Sequence, residues 1–103
     1  MKPIIIISTY PNKNSITKIA NELVQNKIVA CVNLTKISSI YSWNGTIENT
    51  SEYLALFKTT QKNKNSLKEK IKSTHPYAIP EIVEIDIISI NKSYLNWLVE
   101  STI

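Results

Sequence analysis

Few side chains in this sequence can carry chemistry, and several of them share one short stretch. Residues 74–82 read THPYAIPEI and hold the only histidine, His75, two of the four prolines, a tyrosine and a glutamate. His75 precedes Pro76, which disfavours helix at that position, and Tyr77 and Glu81 follow closely in a loop that proline stiffens. Two readings compete for His75. In one it ends a helix and meets the free carbonyls or, when protonated, the dipole there. In the other it is a ligand or polar contact in a cleft between subunits. Glu81, behind Pro80, and Glu52, heading EYLALFKTT, are candidates for a general base or a ligand, against the simpler reading of charges at strand ends. Lys58 lies inside that apolar segment on the face of Leu54 and Leu56. Its ammonium is expected to pair with a carboxylate such as Glu81 or to reach a small anionic ligand, because an unpaired buried charge is costly. Tyr41, Trp43, Tyr77, Tyr94 and Trp97 suit a pocket lining, but aromatics near a hairpin end are more often interface core, the preferred reading here. Cys31, between Ala30 and Val32, reads as an inert buried thiol rather than a nucleophile.

Composition narrows the classes. One cysteine excludes an internal disulfide and a cysteine-based zinc knuckle within one chain. All twelve cations are lysines and the formal charge is +4. Without arginine the chain lacks the planar fork that grips phosphates and guanines, which argues against nucleic acid as a partner. The six lysines between Lys58 and Lys72 read as a solvated helix face. The run Ile4–Ile7 is far too short for a signal peptide or a membrane span. A soluble cytoplasmic protein of one domain, residues 1–103, is expected.

The elements that must position these residues follow from periodicity. Ile4–Ile7 is a continuous apolar run, as in a central strand buried on both faces. Ile16, Ile19, Ala20, Leu23 and Val24 have the spacing of one helical face, with Asn14 or Ser15 as the cap and Asn26 and Lys27 at the end. Two long extended segments, Val29–Trp43 and Thr46–Thr60, flank Asn44-Gly45, a pair suited to a type I′ hairpin; Gly45 is the only glycine. A lysine-rich helix over 65–73 follows, anchored by Leu67 and Ile71. A strand is expected over 81–90 and a last helix capped by Ser93. The order β-α-β-β-α-β-α makes the fold class α+β, a ferredoxin-like sandwich with an added C-terminal helix.

The hairpin strands, at about 14 residues each, exceed the usual 3–10. At about 3.3 Å per residue they make roughly 45 Å of ribbon, whereas a domain of this size has a radius of gyration of about 13 Å. The outer half therefore overhangs and is expected to find partners among copies of the same chain. The alternative is a bulge near Thr35–Lys36 or Asn49–Thr50 that folds the ribbon back.

ACVN at 30–33, SIYSWNGTIE at 39–48, EYLALFKTT at 52–60, HPYAIPEI at 75–82 and YLNWL at 94–98 together resemble the CutA divalent-cation-tolerance family, in order and spacing, over almost the whole chain. The resemblance implies a ferredoxin-like homotrimer, an architecture shared with PII-type signalling proteins, and a role concerning divalent metals, copper above all. It also implies a metal site in which His75 is the one retained ligand: a cysteine ending the first strand is Ser8 here, and the first of two consecutive histidines is Thr74. A hydroxyl is a poor donor to a soft or borderline metal.

Three functions are thus weighed. The first is a trimeric, non-enzymatic protein binding copper, another divalent cation or a small ligand between subunits, with a PII-like signalling trimer that uses no metal as its variant. The second, disfavoured, is a hydrolase using Cys31, His75 and Glu81. The third, nucleic-acid binding through the lysine stripe, is weakened by the composition argument above and predicts affinity that falls steeply with salt. The candidate cleft residues are Tyr41, Glu52, Lys58, Tyr77 and Glu81.

Overall fold

An apolar run such as Ile4–Ile7 needs cover on both sides, and the sheet order supplies it. The computed structural model describes residues 1–103. In chain order the elements are β1 (Pro3–Tyr10), α1 (Lys13–Gln25), β2 (Cys31–Trp43), β3 (Thr46–Thr60), α2 (Lys64–Thr74), β4 (Val83–Asp86) and α3 (Lys92–Glu100), with a 3-10 turn at Gln61–Asn63 leading into α2. The four strands form one sheet in the order β2-β3-β1-β4, with every neighbour antiparallel. The chain is thus α+β, with the interleaved strand order of the ferredoxin-like sandwich.

Alternation along the strands decides which residues meet the helices. Ile4, Ile6 and Tyr10 of β1 and Ala55 and Phe57 of β3 pack against Ile16, Ile19, Ala20 and Leu23 of α1 and Leu67 and Ile71 of α2. Phe57, Leu67 and Ile71 are completely buried. Asn12, rather than Asn14 or Ser15, caps α1: its Oδ1 accepts the Ser15 N–H at 2.9 Å, and Ser15 occupies the third helical position. Lys27, with φ of 58°, turns the chain out of α1 in the left-handed conformation.

Asn44 and Gly45 have φ of 50° and 76°, so the hairpin turn forms as its two residues demand. Pairing runs without interruption from Cys31↔Lys58 to Trp43↔Thr46, so neither bulge exists. β1 accompanies β3 only as far as Tyr10↔Tyr53. Beyond it the ribbon stands alone, with Ile40 71% and Ile47 70% exposed. The molecule accordingly measures 45 × 26 × 21 Å with a radius of gyration of 14.3 Å.

Two expectations need correction. The strand expected over 81–90 pairs only from Val83 to Asp86. Asp86 lies opposite Ile4, and the next position on β1 is Pro3, which has no N–H for a ladder. Ile88, beyond the pairing, is 99% exposed. α3 is capped by Asn91 instead of Ser93, whose hydroxyl accepts from the Asn91 side-chain amide at 2.9 Å. Leu98 of α3 is fully buried, and the Ile103 N–H donates to the Lys27 carbonyl at 3.0 Å, tying the chain's end to the exit of α1.

Candidate functional site

The second face of the sheet is not backed by α1 and α2, and it is there that the chemistry-bearing residues gather. Odd-numbered residues of β2 stand on this face with even-numbered residues of β3, Glu52 lying directly opposite Ile37 and Leu54 beside Thr9. The segment from Pro76 to Glu81, leaving α2, closes over them. A cleft of about 760 Å³ results, lined among others by Tyr41, Trp43, Glu52, Leu54, Tyr77 and Glu81. That volume lies within the usual range for small-molecule sites.

His75 is the fastening of this loop. As expected before proline, it adopts an extended conformation (φ −71°, ψ 136°) just past α2. Its Nδ1 accepts the Tyr77 N–H at 3.1 Å, while Nε2 lies 2.9 Å from the Thr9 carbonyl and 3.2 Å from Ser8 Oγ. A carbonyl only accepts and a backbone N–H only donates, so the ring is neutral with its proton on Nε2. Tyr10 stacks on the ring with centroids 4.2 Å apart. Burial holds the His75 pKa below its ordinary value, outweighing the Thr9 hydrogen bond and the nearby Glu52 charge. The Tyr10 hydroxyl is buried, and burial, partly offset by the nearby Ser8 hydroxyl, pushes its pKa up to about 12.

From His75 the connection passes through Tyr77 to Glu52. The Tyr77 hydroxyl donates to Glu52 Oε2 at 2.7 Å, pinning the loop across the sheet to β3. Its pKa is raised by burial first and then by the Glu52 carboxylate, so it remains a donor. Glu52 itself is only 7% exposed.

Four of the five candidate cleft residues, Tyr41, Glu52, Tyr77 and Glu81, therefore share one cleft, and Lys58 does not. The expected pairing of Lys58 with Glu81 is absent: its Nζ lies 5.7 Å from the ring centre of Tyr94, at the end of the sheet where α3 packs. Of the five aromatics, Tyr41, Trp43 and Tyr77 line the cleft, whereas Tyr94 and Trp97 lie against each other on α3, ring centres 5.3 Å apart. Cys31, expected to be buried, is only partly so; it sits opposite Lys58 on the neighbouring strand, its Sγ 3.7 Å from Asn33 Oδ1. The roles of Thr9 and Tyr10 were not read from the sequence; the parity of positions along the strands was the available signal. The lysine stripe is partly consumed by Glu84, which Lys68 meets at 2.9 Å and Lys64 at 3.8 Å.

A resident metal fits these residues poorly. His75 has both nitrogens engaged, the Thr74 hydroxyl donates to the Lys70 carbonyl at 2.6 Å, and Ser8 offers a hydroxyl. No three His, Cys, Asp or Glu side chains converge.

The fold and cleft define a small α+β protein with a ligand-sized recess under an overhanging hairpin, and comparison with known proteins names the class. The family model described as CutA1 divalent ion tolerance protein matches residues 4–101, and the chain belongs to that family. The divalent-cation tolerance protein CutA of Pyrococcus horikoshii is 39% identical over 99 residues, covering 96% of this chain and 97% of that one. The crystal structure of the divalent ion tolerance protein CutA1 from Ehrlichia chaffeensis is similar with a TM-score of 0.94 at 32% identity, covering 100% of this chain and 98% of that one. A structure described as the periplasmic divalent cation tolerance protein CutA from Archaeoglobus fulgidus has a TM-score of 0.92 at 31% identity, covering 96% and 97%. No helix of this chain is long and apolar enough to cross a membrane.

Proposed function

We propose that the chain works as a cytoplasmic homotrimer without catalytic activity, taking part in the response to divalent cations, copper among them, and binding its ligand in clefts that neighbouring subunits complete. The observation that carries this reading is the cleft itself: a recess of about 760 Å³ bounded on one side by a ribbon that its own subunit leaves uncovered. Val83 and Ile85 on the same face are 45% and 42% exposed, and Ile88 is bare. Exposed apolar residues of this size, beside a long ribbon that no further strand of its own subunit flanks, belong at a contact between copies.

Copper would be cargo rather than a built-in centre. To take it, His75 must release either Tyr77 or Thr9, so metal binding would compete with one of the two contacts that fasten the loop. Binding of a small molecule needs no such rearrangement and is the stronger half of the reading. Light scattering is expected to return a particle three times the 11.7 kDa chain mass. Calorimetry with copper, zinc and small metabolites is expected to show saturable binding by that particle. A lone chain at micromolar concentration, or silence throughout the ligand panel, overturns the respective half.

A further inference from the structure

From its own chain the cleft receives negative charge and aromatic rings, and no positive charge. Glu52 and Glu81 are its only ionisable groups besides the two tyrosines, and no lysine lines it although the chain has twelve. The ion pairs of the molecule use Asp86 and Glu84, leaving both cleft carboxylates without a counter-charge. For Glu81 this matters little, since it is solvent-exposed. Glu52 is different. It is 93% removed from solvent by the 7% exposure above, and its one hydrogen bond is the neutral donor Tyr77, on Oε2. A largely buried carboxylate with a single neutral partner in its own chain is a costly arrangement, and buried charges in proteins are as a rule paired.

The surroundings specify what kind of cation. Tyr41, Trp43 and Tyr77 present rings to the same recess, and the negative face of an aromatic ring attracts an ammonium that sheds water easily. Metal ions ask for several converging oxygen or nitrogen donors, and no three such groups meet here. A small anion would need Lys58, which lies instead by Tyr94. On the reading that this cleft is a ligand site, we propose that it takes an organic cation, an amine or quaternary ammonium, with its charge against Glu52 and its carbon framework between Tyr41, Trp43 and Tyr77. His75 participates only by holding Tyr77 in place through its backbone N–H.

The test is isothermal titration of the intact, assembled protein with choline, benzyltrimethylammonium and spermidine. Alongside run 3,3-dimethyl-1-butanol, the uncharged counterpart of choline, and the anions citrate and phosphate. At least one cation is expected to bind, with the uncharged counterpart or the anions about tenfold weaker or worse. Glu52→Gln and, independently, Trp43→Leu are each expected to weaken that cation about tenfold while leaving the far-ultraviolet circular dichroism unchanged, each variant being titrated at a concentration where light scattering shows the assembled particle. Trp43 is 48% exposed, so its replacement spares the core. Binding of citrate or phosphate in place of cations, or equal binding of the uncharged alcohol, overturns the proposed ligand class while the cleft remains a ligand site. Silence from every cation overturns the proposed ligand class, while the copper, zinc and metabolite titrations decide separately whether the cleft takes any ligand.

Discussion

The two faces of this sheet are made from the same strands by simple alternation, yet they are finished in opposite ways. On one face Ile4, Ile6 and Phe57 have no solvent exposure, sealed by α1 and α2 within one subunit. On the other, Val83 and Ile85 are more than two-fifths exposed, and the residues with chemistry line an open recess. The first face is complete in a single chain and holds the fold. The second is held together by a few polar contacts running from Thr9 through His75 and Tyr77 to Glu52. Apolar contact without directionality suffices for a core, whereas a ligand site needs particular donors at particular places, and those come from a loop.

That contrast can be broken at several depths. Phe57→Ala empties a fully buried position on the sealed face and is expected to cost about 3–5 kcal/mol in denaturant unfolding, enough to threaten folding of the isolated subunit. His75→Ala removes the donor to the Thr9 carbonyl, the acceptor of the Tyr77 N–H and the ring stacked on Tyr10 together. A loss of about 1–3 kcal/mol is expected, with faster amide exchange concentrated in residues 75–81 and around Tyr10.

The same histidine sets a pH dependence. Its folded-state pKa lies below the ordinary 6.5, so the fold favours the neutral ring. As pH falls past 6.5 the unfolded chain takes up the proton first. Stability contributed by the neutral ring is therefore complete above that pH and is lost progressively as pH falls through the folded value. Thermal melts from pH 8 to pH 5 are expected to show this decline in the natural chain and a flatter profile in His75→Ala.

Tyr77→Phe leaves the loop's backbone anchor but deprives Glu52 of its hydrogen bond, for an expected cost of about 1–2 kcal/mol by equilibrium unfolding. Smallest in the subunit is the effect of Ile88→Ser, at a site 99% exposed. Its expected change in subunit stability is within about 0.5 kcal/mol, but sedimentation is expected to show weaker assembly. If instead the unfolding midpoint dropped with assembly intact, Ile88 would belong to the fold of its own chain and the contrast between the faces would blur.

Periodicity carried the helix-backed face into view from the sequence. Ile16, Ile19 and Leu23 repeat as one helical stripe, Leu67 and Ile71 as another, and both stripes are buried where expected. Asn44-Gly45 specified its turn because few other pairs tolerate positive φ at both positions. β4 is shorter than its composition implies, because isoleucine and valine mark a segment fit for pairing, while pairing itself ends where Pro3 withholds its N–H. Lys58 was misplaced for a related reason: its composition-based need for a carboxylate names no partner, and the register put it near Tyr94.

By itself, then, the sequence determined the elements, the α+β order, the length of the ribbon and the family, since these depend on local pattern and spacing. Only the tertiary structure decided that Thr9 and Tyr10 meet His75 from more than sixty residues away, and that Glu52 rather than Lys58 faces the cleft. Such meetings are fixed by strand register and by the path of a loop across a sheet, and a shift of one residue would turn each side chain to the opposite face.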